Sequence, residues 1–314
     1  MTEGPIRLGT RASLLATTQS QTVADALARV TGRAVDLVPI TTDGDRLTGP
    51  LAQLGGTGVF VAALRDALLR SECDVVVHSM KDLPTGDVPG LRIGAVPPRA
   101  PVRDVLCDRD GATLATLREG AVVGSGSPRR VAQLRRCRPD LDVRGIRGNV
   151  DTRLRKVDDG EYDAIVLAEA GLTRIGRTDR IVERFDEESW PTSAGQGALA
   201  VEVRTDDPLG AQLAALTDAD AAATSLLERA VLRRLEAGCA APVGISARVE
   251  ASEDIVLLAE VYSLDGARAV RVEQTFARAA VTSDAARADA AEAVVAELLD
   301  GGAADLADLA GSGR

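Results

Sequence analysis

Along the chain, short runs rich in Ile, Leu and Val alternate with longer stretches in which apolar side chains recur at every third or fourth position. The first kind reads as buried strand, the second as helix packed on one face. Ile6–Gly9 is a strand, Leu14–Arg29 a helix with Ser13 placed to cap it, and Ala34–Ile40 a second strand. A glycine-rich loop, Leu54–Gly58, leads into a helix over Val59–Arg70, and the valine run after Asp74 is a third strand. This β-α-β-α-β order predicts a parallel sheet covered by helices.

"PPRAP" at Pro97–Pro101 reads as a crossover into a second α/β unit. That unit has strands at Ala121–Ser125, Leu141–Ile146 and Asp163–Ala168, with helices at Pro128–Arg136 and Val150–Val157. Ser189–Arg204 holds another crossover and an apolar strand. From about Asp218 the pattern changes to a long Ala/Leu helix that stops at Gly238, a residue suited to the left-handed position after a helix end. Alternating strands around Asp265-Gly266 predict a hairpin, Ser283–Leu299 a last helix, and the tail from Gly301 a partly disordered end. The expected fold is α/β: two α/β domains, 1–97 with 197–216 and 98–196, plus a small α+β domain over 217–314.

Composition narrows the class. The 314 residues are 45% hydrophobic and 27% charged, as in a folded globular protein, yet only 2% aromatic, so aliphatic side chains must fill the core. No apolar run is long enough to span a bilayer, and "MTEGPIRLGTR" lacks a signal-peptide pattern. Cys73, Cys107, Cys137 and Cys239 are widely separated with no metal-type spacing, which points to free thiols in a reducing cytoplasm and to no metal site. The net charge of −10 argues against general nucleic-acid or membrane binding. Ser127–Lys156 nonetheless carries ten basic and three acidic side chains, a net of +7 that leaves −17 for the remainder. A positive island in an acidic chain suits a specific anion.

Four strand ends run into polar residues: Gly9–Ser13, His78–Asp82, Gly124–Arg130 and Arg144–Asn149. Ligands of parallel α/β sheets sit beyond such ends. Arg11 with Ser13, and Ser127 with Arg129 and Arg130, join a helix N-terminus to guanidinium forks, a combination suited to carboxylate or phosphate. Ordinary capping and solvated surface charge are the competing explanations for each residue taken singly. His78 has no metal-ligand neighbour and reads as a structural histidine. Asp82 follows a buried strand beside Lys81; it either forms a salt bridge there or faces a cleft, where it could steady a cation or move a proton. Cys239, in the small-residue loop "GCAAPVG", is the best placed thiol for covalent attachment.

Together these motifs carry a resemblance. "HSMKDLP", "GSGSPRR" with "RGNVDTRL", "YDAIVLAEAGLTR", "GQGALAVEVR" and "LEAGCAAPVG", in this order, resemble the porphobilinogen deaminase (hydroxymethylbilane synthase) family over nearly the whole chain. The resemblance implies two lobes like those of type II periplasmic binding proteins and a third domain bearing the cysteine. It implies a dipyrromethane cofactor held by a thioether to Cys239. Four porphobilinogen units are added to it with loss of ammonia, and the linear tetrapyrrole is then released by hydrolysis. By the same match Asp82 is catalytic, and Lys81, Asp82, Ser127, Arg129 and Arg130 hold the cofactor. Arg11, Ser13, Gln19, Phe60, Arg147, Arg153 and Arg174 hold substrate or the growing chain. A cytoplasmic monomer with porphobilinogen as its small-molecule partner, and no nucleic acid or membrane, is expected. The chain departs from the family at Gln53 and Thr57, where lysines are common, and at Asp43, where an Arg is common. No lid-lysine role carries over. A non-catalytic anion-binding module of the same two-lobed fold is the alternative; it would need neither Cys239 nor Asp82.

Overall fold

The computed structural model describes residues 4–40, 58–237, 241–307 and 309. Two compact units emerge, Met1–Ala100 with Gly197–Ala222, and Pro101–Gln196 with Ala223–Arg314.

The first unit is built on a five-stranded sheet in the order β2-β1-β3-β10-β4. Its strands are β1 (Ile6–Thr10), β2 (Val35–Pro39), β3 (Val75–Ser79), β4 (Leu91–Ala95) and β10 (Leu199–Arg204). Helices α1 (Leu14–Thr31), α2 (Gly58–Leu69) and α6 (Leu209–Leu213) cover it. Ser13 caps α1 by accepting from the Ala16 N–H, and Gly32 ends it in the left-handed conformation at φ 69°. The buried stripe of α1, Val23, Ala24 and Leu27, packs on Leu8, Val75 and Val201. Each fully buried Val or Leu contributes about 1.5–3 kcal/mol.

The second unit holds two sheets. One has the order β7-β6-β8-β5-β9, from β5 (Asp104–Asp108), β6 (Val122–Gly124), β7 (Asp142–Arg144), β8 (Ala164–Ala168) and β9 (Glu183–Arg184). Helices α3 (Pro128–Cys137), α4 (Val150–Asp158) and α5 (Glu169–Arg174) accompany it. The other is the antiparallel sheet of β11 (Val243–Val249), β12 (Ile255–Tyr262) and β13 (Ala269–Phe276), packed with α7 (Ala219–Leu235) and α8 (Asp284–Asp300).

The strands of the expected β-α-β-α-β unit, β1, β2 and β3, are parallel as the sequence pattern predicts, but neither large sheet is parallel throughout. β10 runs antiparallel to β3 and β4, and β5 runs antiparallel to β8 and β9. The pattern of the first hundred residues could not show this, because β10 enters the first sheet only after the chain has passed through the second unit. β4, β5, β9 and β11 are further strands that the sequence pattern does not announce. In the first part of the tail, Ala303, Leu306 and Leu309 are buried in the core of the C-terminal sheet.

Each large sheet contains a point where the chain leaves for opposite sides. In the first, β1 lies between β2 and β3 and is parallel to both. In the second, β6 lies between β7 and β8 and is parallel to both. Such switch points open a crevice beyond the strand ends, where α/β proteins bind ligands.

Candidate active site

In the first unit, the end of β1 delivers Arg11 and Ser13, and the end of β3 delivers Lys81 and Asp82. These two strands flank the switch point, so the topology brings the four residues to one edge of the sheet. β3 is buried as far as His78, and the chain then turns through a single 3-10 turn, Met80–Asp82. Met80 is fully buried and anchors the turn, while Lys81 and Asp82 are exposed. No hydrogen bond or ion pair engages the Asp82 carboxylate among the described residues, so it is not tied to Lys81. Gln19, on the buried face of α1, donates from Nε2 to Ser79 Oγ at 3.0 Å. That bond ties α1 to the residue just before the turn. The Ser13 hydroxyl caps α1, and the Arg11 side chain is half-buried.

His78 is structural, as its lone position suggested. Its Nε2 lies 3.0 Å from Glu202 Oε2, near enough for an ion pair though poorly aimed for a hydrogen bond. Arg65 of α2 grips the same carboxylate from Nη2 at 2.7 Å and Nε at 2.9 Å. Burial pushes the Glu202 carboxyl up, but the interactions with His78 and Arg65 outweigh it and bring the pKa down to about 2.

In the second unit, the loop after β6 carries Ser127, the first turn of α3 carries Arg129 and Arg130, and β8 leads directly into α5, which ends at Arg174. The loop after neighbouring β7 carries Arg147, and α4 carries Arg153. All six residues thus belong to loops and helices that follow the parallel strands β6, β7 and β8. Gly124 and Gly126 allow close approach at this edge, since a Cβ would meet the Tyr162 ring at 2.8 Å or the Ile146 carbonyl at 3.0 Å. Ser127 begins α3 without a side-chain capping bond and Pro128 follows at the first helical position. Arg147 is exposed, with no bond or ion pair among the described residues. Arg153 donates from Nε to the Gly148 carbonyl at 2.8 Å.

Arg129 and Arg130 are 2% and 7% exposed. Both meet one buried carboxylate: Arg129 Nη1 lies 2.8 Å from Asp104 Oδ2, and Arg130 Nη2 lies 2.6 Å from Asp104 Oδ1. Burial pushes the Asp104 carboxyl up, yet the two guanidinium charges hold it far below the usual carboxylate range. Two further guanidinium groups of this unit are partly desolvated. Burial, aided by the charge of Arg130, pulls the Arg153 pKa down, and burial pulls Arg174 down to about 10. A guanidinium pKa lowered in this way marks positive charge removed from water.

Burial raises the thiols of Cys73 and Cys107 to about 11 and about 12, so neither is a ready nucleophile. Cys137 is exposed at the end of α3, and its pKa is also raised by desolvation. Cys239, Asp43, Gln53 and Thr57 lie outside the described residues, and so does the Phe60 side chain, whose backbone lies in the first turn of α2. Three residues are absent from those expected from the sequence: Asp104, which engages both arginines, and Gln196 and Trp190, which donate to Asp104. An Asp opening an apolar run, "DVLC", was the available signal.

Comparison with known proteins meets this geometry. Residues 6–212 match the family model "Porphobilinogen deaminase, dipyromethane cofactor binding domain", and residues 222–299 match "Porphobilinogen deaminase, C-terminal domain". A protein of Leifsonia xyli subsp. xyli named porphobilinogen deaminase is 53% identical, covering 98% of this chain and 96% of that protein. One of the same name from Thermobifida fusca is also 53% identical, over 88% and 87%.

The chain belongs to the porphobilinogen deaminase family.

Both switch points fall within the matched cofactor-binding domain, and the Cys239 loop falls within the C-terminal domain match. Among solved structures, immunogenic lipoprotein A from Vibrio vulnificus has a TM-score of 0.42 at 12% identity, covering 66% of this chain and 93% of that one. The fold class of this porphobilinogen deaminase family member rests on its own sheets rather than on that distant likeness. Among the described residues no helix is long and apolar enough to cross a membrane.

Proposed function

We propose that this chain condenses four porphobilinogen units head to tail, with loss of ammonia, onto a dipyrromethane bound covalently through Cys239, and releases the linear tetrapyrrole hydroxymethylbilane by hydrolysis. The observation that carries this reading is the excess of desolvated guanidinium over carboxylate at the second switch point. Porphobilinogen bears acetate and propionate groups, so every ring added brings carboxylates that such a site neutralises.

The residues fit the cofactor. Arg129 Nε and Arg130 Nε are buried N–H groups without a hydrogen-bond partner among the described residues, and an unmet buried donor costs about 1–3 kcal/mol. A bound carboxylate removes that cost. In this reading Ser127, Arg129, Arg130 and Lys81 hold the cofactor carboxylates, and bound dipyrromethane supplies the nucleophilic ring end for extension. Arg11, Ser13, Gln19, Arg147, Arg153, Arg174 and Phe60 receive porphobilinogen and the lengthening chain. Asp82 meets the incoming aminomethyl group. Its carboxylate hydrogen-bonds the protonated amine and keeps that proton on nitrogen as the C–N bond breaks and ammonia leaves, and it steadies the cation left on the substrate ring. An exposed, unengaged carboxylate on a rigid turn suits that task, because it is held in place without being neutralised beforehand. Three domains, a monomer in the cytoplasm, and no nucleic-acid partner complete the reading.

Intact mass of the purified chain tests it. The expected result is an added dipyrromethane that is absent from Cys239→Ala and reduced in Arg129→Leu and Arg130→Leu. An unmodified wild-type chain that still turns over porphobilinogen would overturn the covalent part. Full loading in both Leu variants would remove the arginines from cofactor binding.

A further inference from the structure

Asp104 opens β5 and is fully buried. Four donors converge on its carboxylate. Oδ1 accepts from Arg130 Nη2 at 2.6 Å and from Gln196 Nε2 at 2.7 Å. Oδ2 faces Arg129 Nη1 at 2.8 Å and accepts from Trp190 Nε1 at 3.1 Å. Trp190 is itself held by stacking on Phe185, with ring centroids 4.3 Å apart. The other acceptors around the arginine pair are neutral: Gln133 Oε1 at 2.7 Å, the Pro191 carbonyl at 3.0 Å and Ser193 Oγ at 3.4 Å for Arg129, and the Val166 carbonyl at 3.0 Å for Arg130.

The charge count is therefore two guanidinium groups against one carboxylate, in a place with almost no water. A single acid engages the terminal nitrogens of both arginines and so helps set each guanidinium plane. The Nε–H of each stays unmet. The pair is held by one edge, with a unit of positive charge left over.

We infer that Asp104 is the positioning residue of the cofactor site: it orients Arg129 and Arg130 and, as one charge for two, leaves them poised for an external carboxylate. The inference rests on the arginines' proposed contact with the dipyrromethane carboxylates. Asp104 itself is saturated by protein donors, so it acts through the arginines rather than on the cofactor directly. Two acids in its place would neutralise the pair and weaken its pull on a carboxylate. An amide would supply one acceptor for four donors and let the guanidinium groups repel and rotate.

Loading kinetics test this. The unloaded full-length chain is incubated with porphobilinogen, and the dipyrromethane addition is followed by intact mass over a range of porphobilinogen concentrations. Asp104→Asn is expected to load at least tenfold more slowly, with a higher half-saturating concentration. Asp104→Glu, which keeps the charge, is expected to recover most of that loss. A purely structural Asp104 would lower the melting temperature of both variants and leave the loading rate of the folded chain unchanged. Loading of Asp104→Asn at the wild-type rate therefore overturns the inference. Should Asp104→Asn not fold, Asp104→Glu decides: the carboxylate displaced by one methylene is expected to slow loading measurably, and wild-type loading at every concentration overturns the inference. If Arg129→Leu and Arg130→Leu load normally, the cofactor reading of the pair has failed. If they do not load while Asp104→Asn does, the role of Asp104 alone has failed.

Discussion

At the scale of single residues, two carboxylates, one on the turn that follows β3 and one on the adjacent strand β10, have opposite assignments. Asp82 is exposed on a turn anchored by buried Met80 and is free of partners among the described residues. Glu202 is buried and held by Arg65 and His78. Asp82→Asn is expected to retain the fold and the bound cofactor while turnover falls at least about a hundredfold, the usual scale for a lost acid–base group. Steady-state rates with intact mass as a control check it, and near-normal turnover would take Asp82 out of the mechanism. Glu202 acts on stability instead. Its folded pKa of about 2 lies below the ordinary value of 4.5. The stabilisation is thus present above about pH 4.5 and is lost as pH falls toward 2, on the order of 3 kcal/mol in all. Urea unfolding of wild type and Glu202→Gln should show a wide gap at pH 7 that narrows steadily below pH 5. A gap independent of pH would show that packing, and not charge, accounts for it.

At the scale of elements, the second unit joins the arginine helix to the C-terminal sheet. The Asp265-Gly266 turn between β12 and β13 lies against α3. Gly266 has φ 75°, and a Cβ there would collide with the Ala132 carbonyl oxygen and come within 2.9 Å of the Arg136 nitrogen. Arg135 Nη1 donates to the Leu264 carbonyl at 2.9 Å. Gln133 Nε2 donates to Tyr262 Oη at 3.1 Å, and Tyr262 Oη donates to Glu260 at 2.9 Å. Gly266→Ala is therefore expected to cost about 2 kcal/mol or more, from backbone strain together with the lost close approach. Chemical denaturation measures this, and a change under about 0.5 kcal/mol, the size typical of neutral surface substitutions, would mean that the turn is not seated on the helix. The Asp-Gly pair announced a hairpin in the sequence. That this glycine also serves a contact with α3 was not legible there, because the two segments are more than a hundred positions apart.

At the scale of the whole molecule, charge is segregated. A chain of net −10 concentrates +7 within Ser127–Lys156, and much of that charge is not a free surface. Arg129 and Arg130 are buried on Asp104, Arg138 pairs with Asp140, and Arg144 pairs with Asp142. A polyanion needs many exposed cations at once, whereas a small carboxylate needs two or three well aimed ones. Fluorescence anisotropy with duplex DNA at low salt should show no association, and salt-sensitive binding would contradict that expectation.

Local sequence determined much of this protein. Apolar periodicity set most helices and the strands β1, β2, β3, β6, β7, β8, β12 and β13, since burial on one face leaves its period in the chain. Polar residues at strand ends marked Arg11, Lys81, Asp82, Ser127, Arg129 and Arg130, because ligands approach there. Tertiary structure decided what depends on distant partners. It turned β10 and β5 antiparallel to their neighbours, drew the tail into the core through Ala303, Leu306 and Leu309, and set Asp104 beneath both arginines. A carboxylate's meaning depends on which charges surround it after folding, and chain separation conceals those neighbours until the sheets have formed.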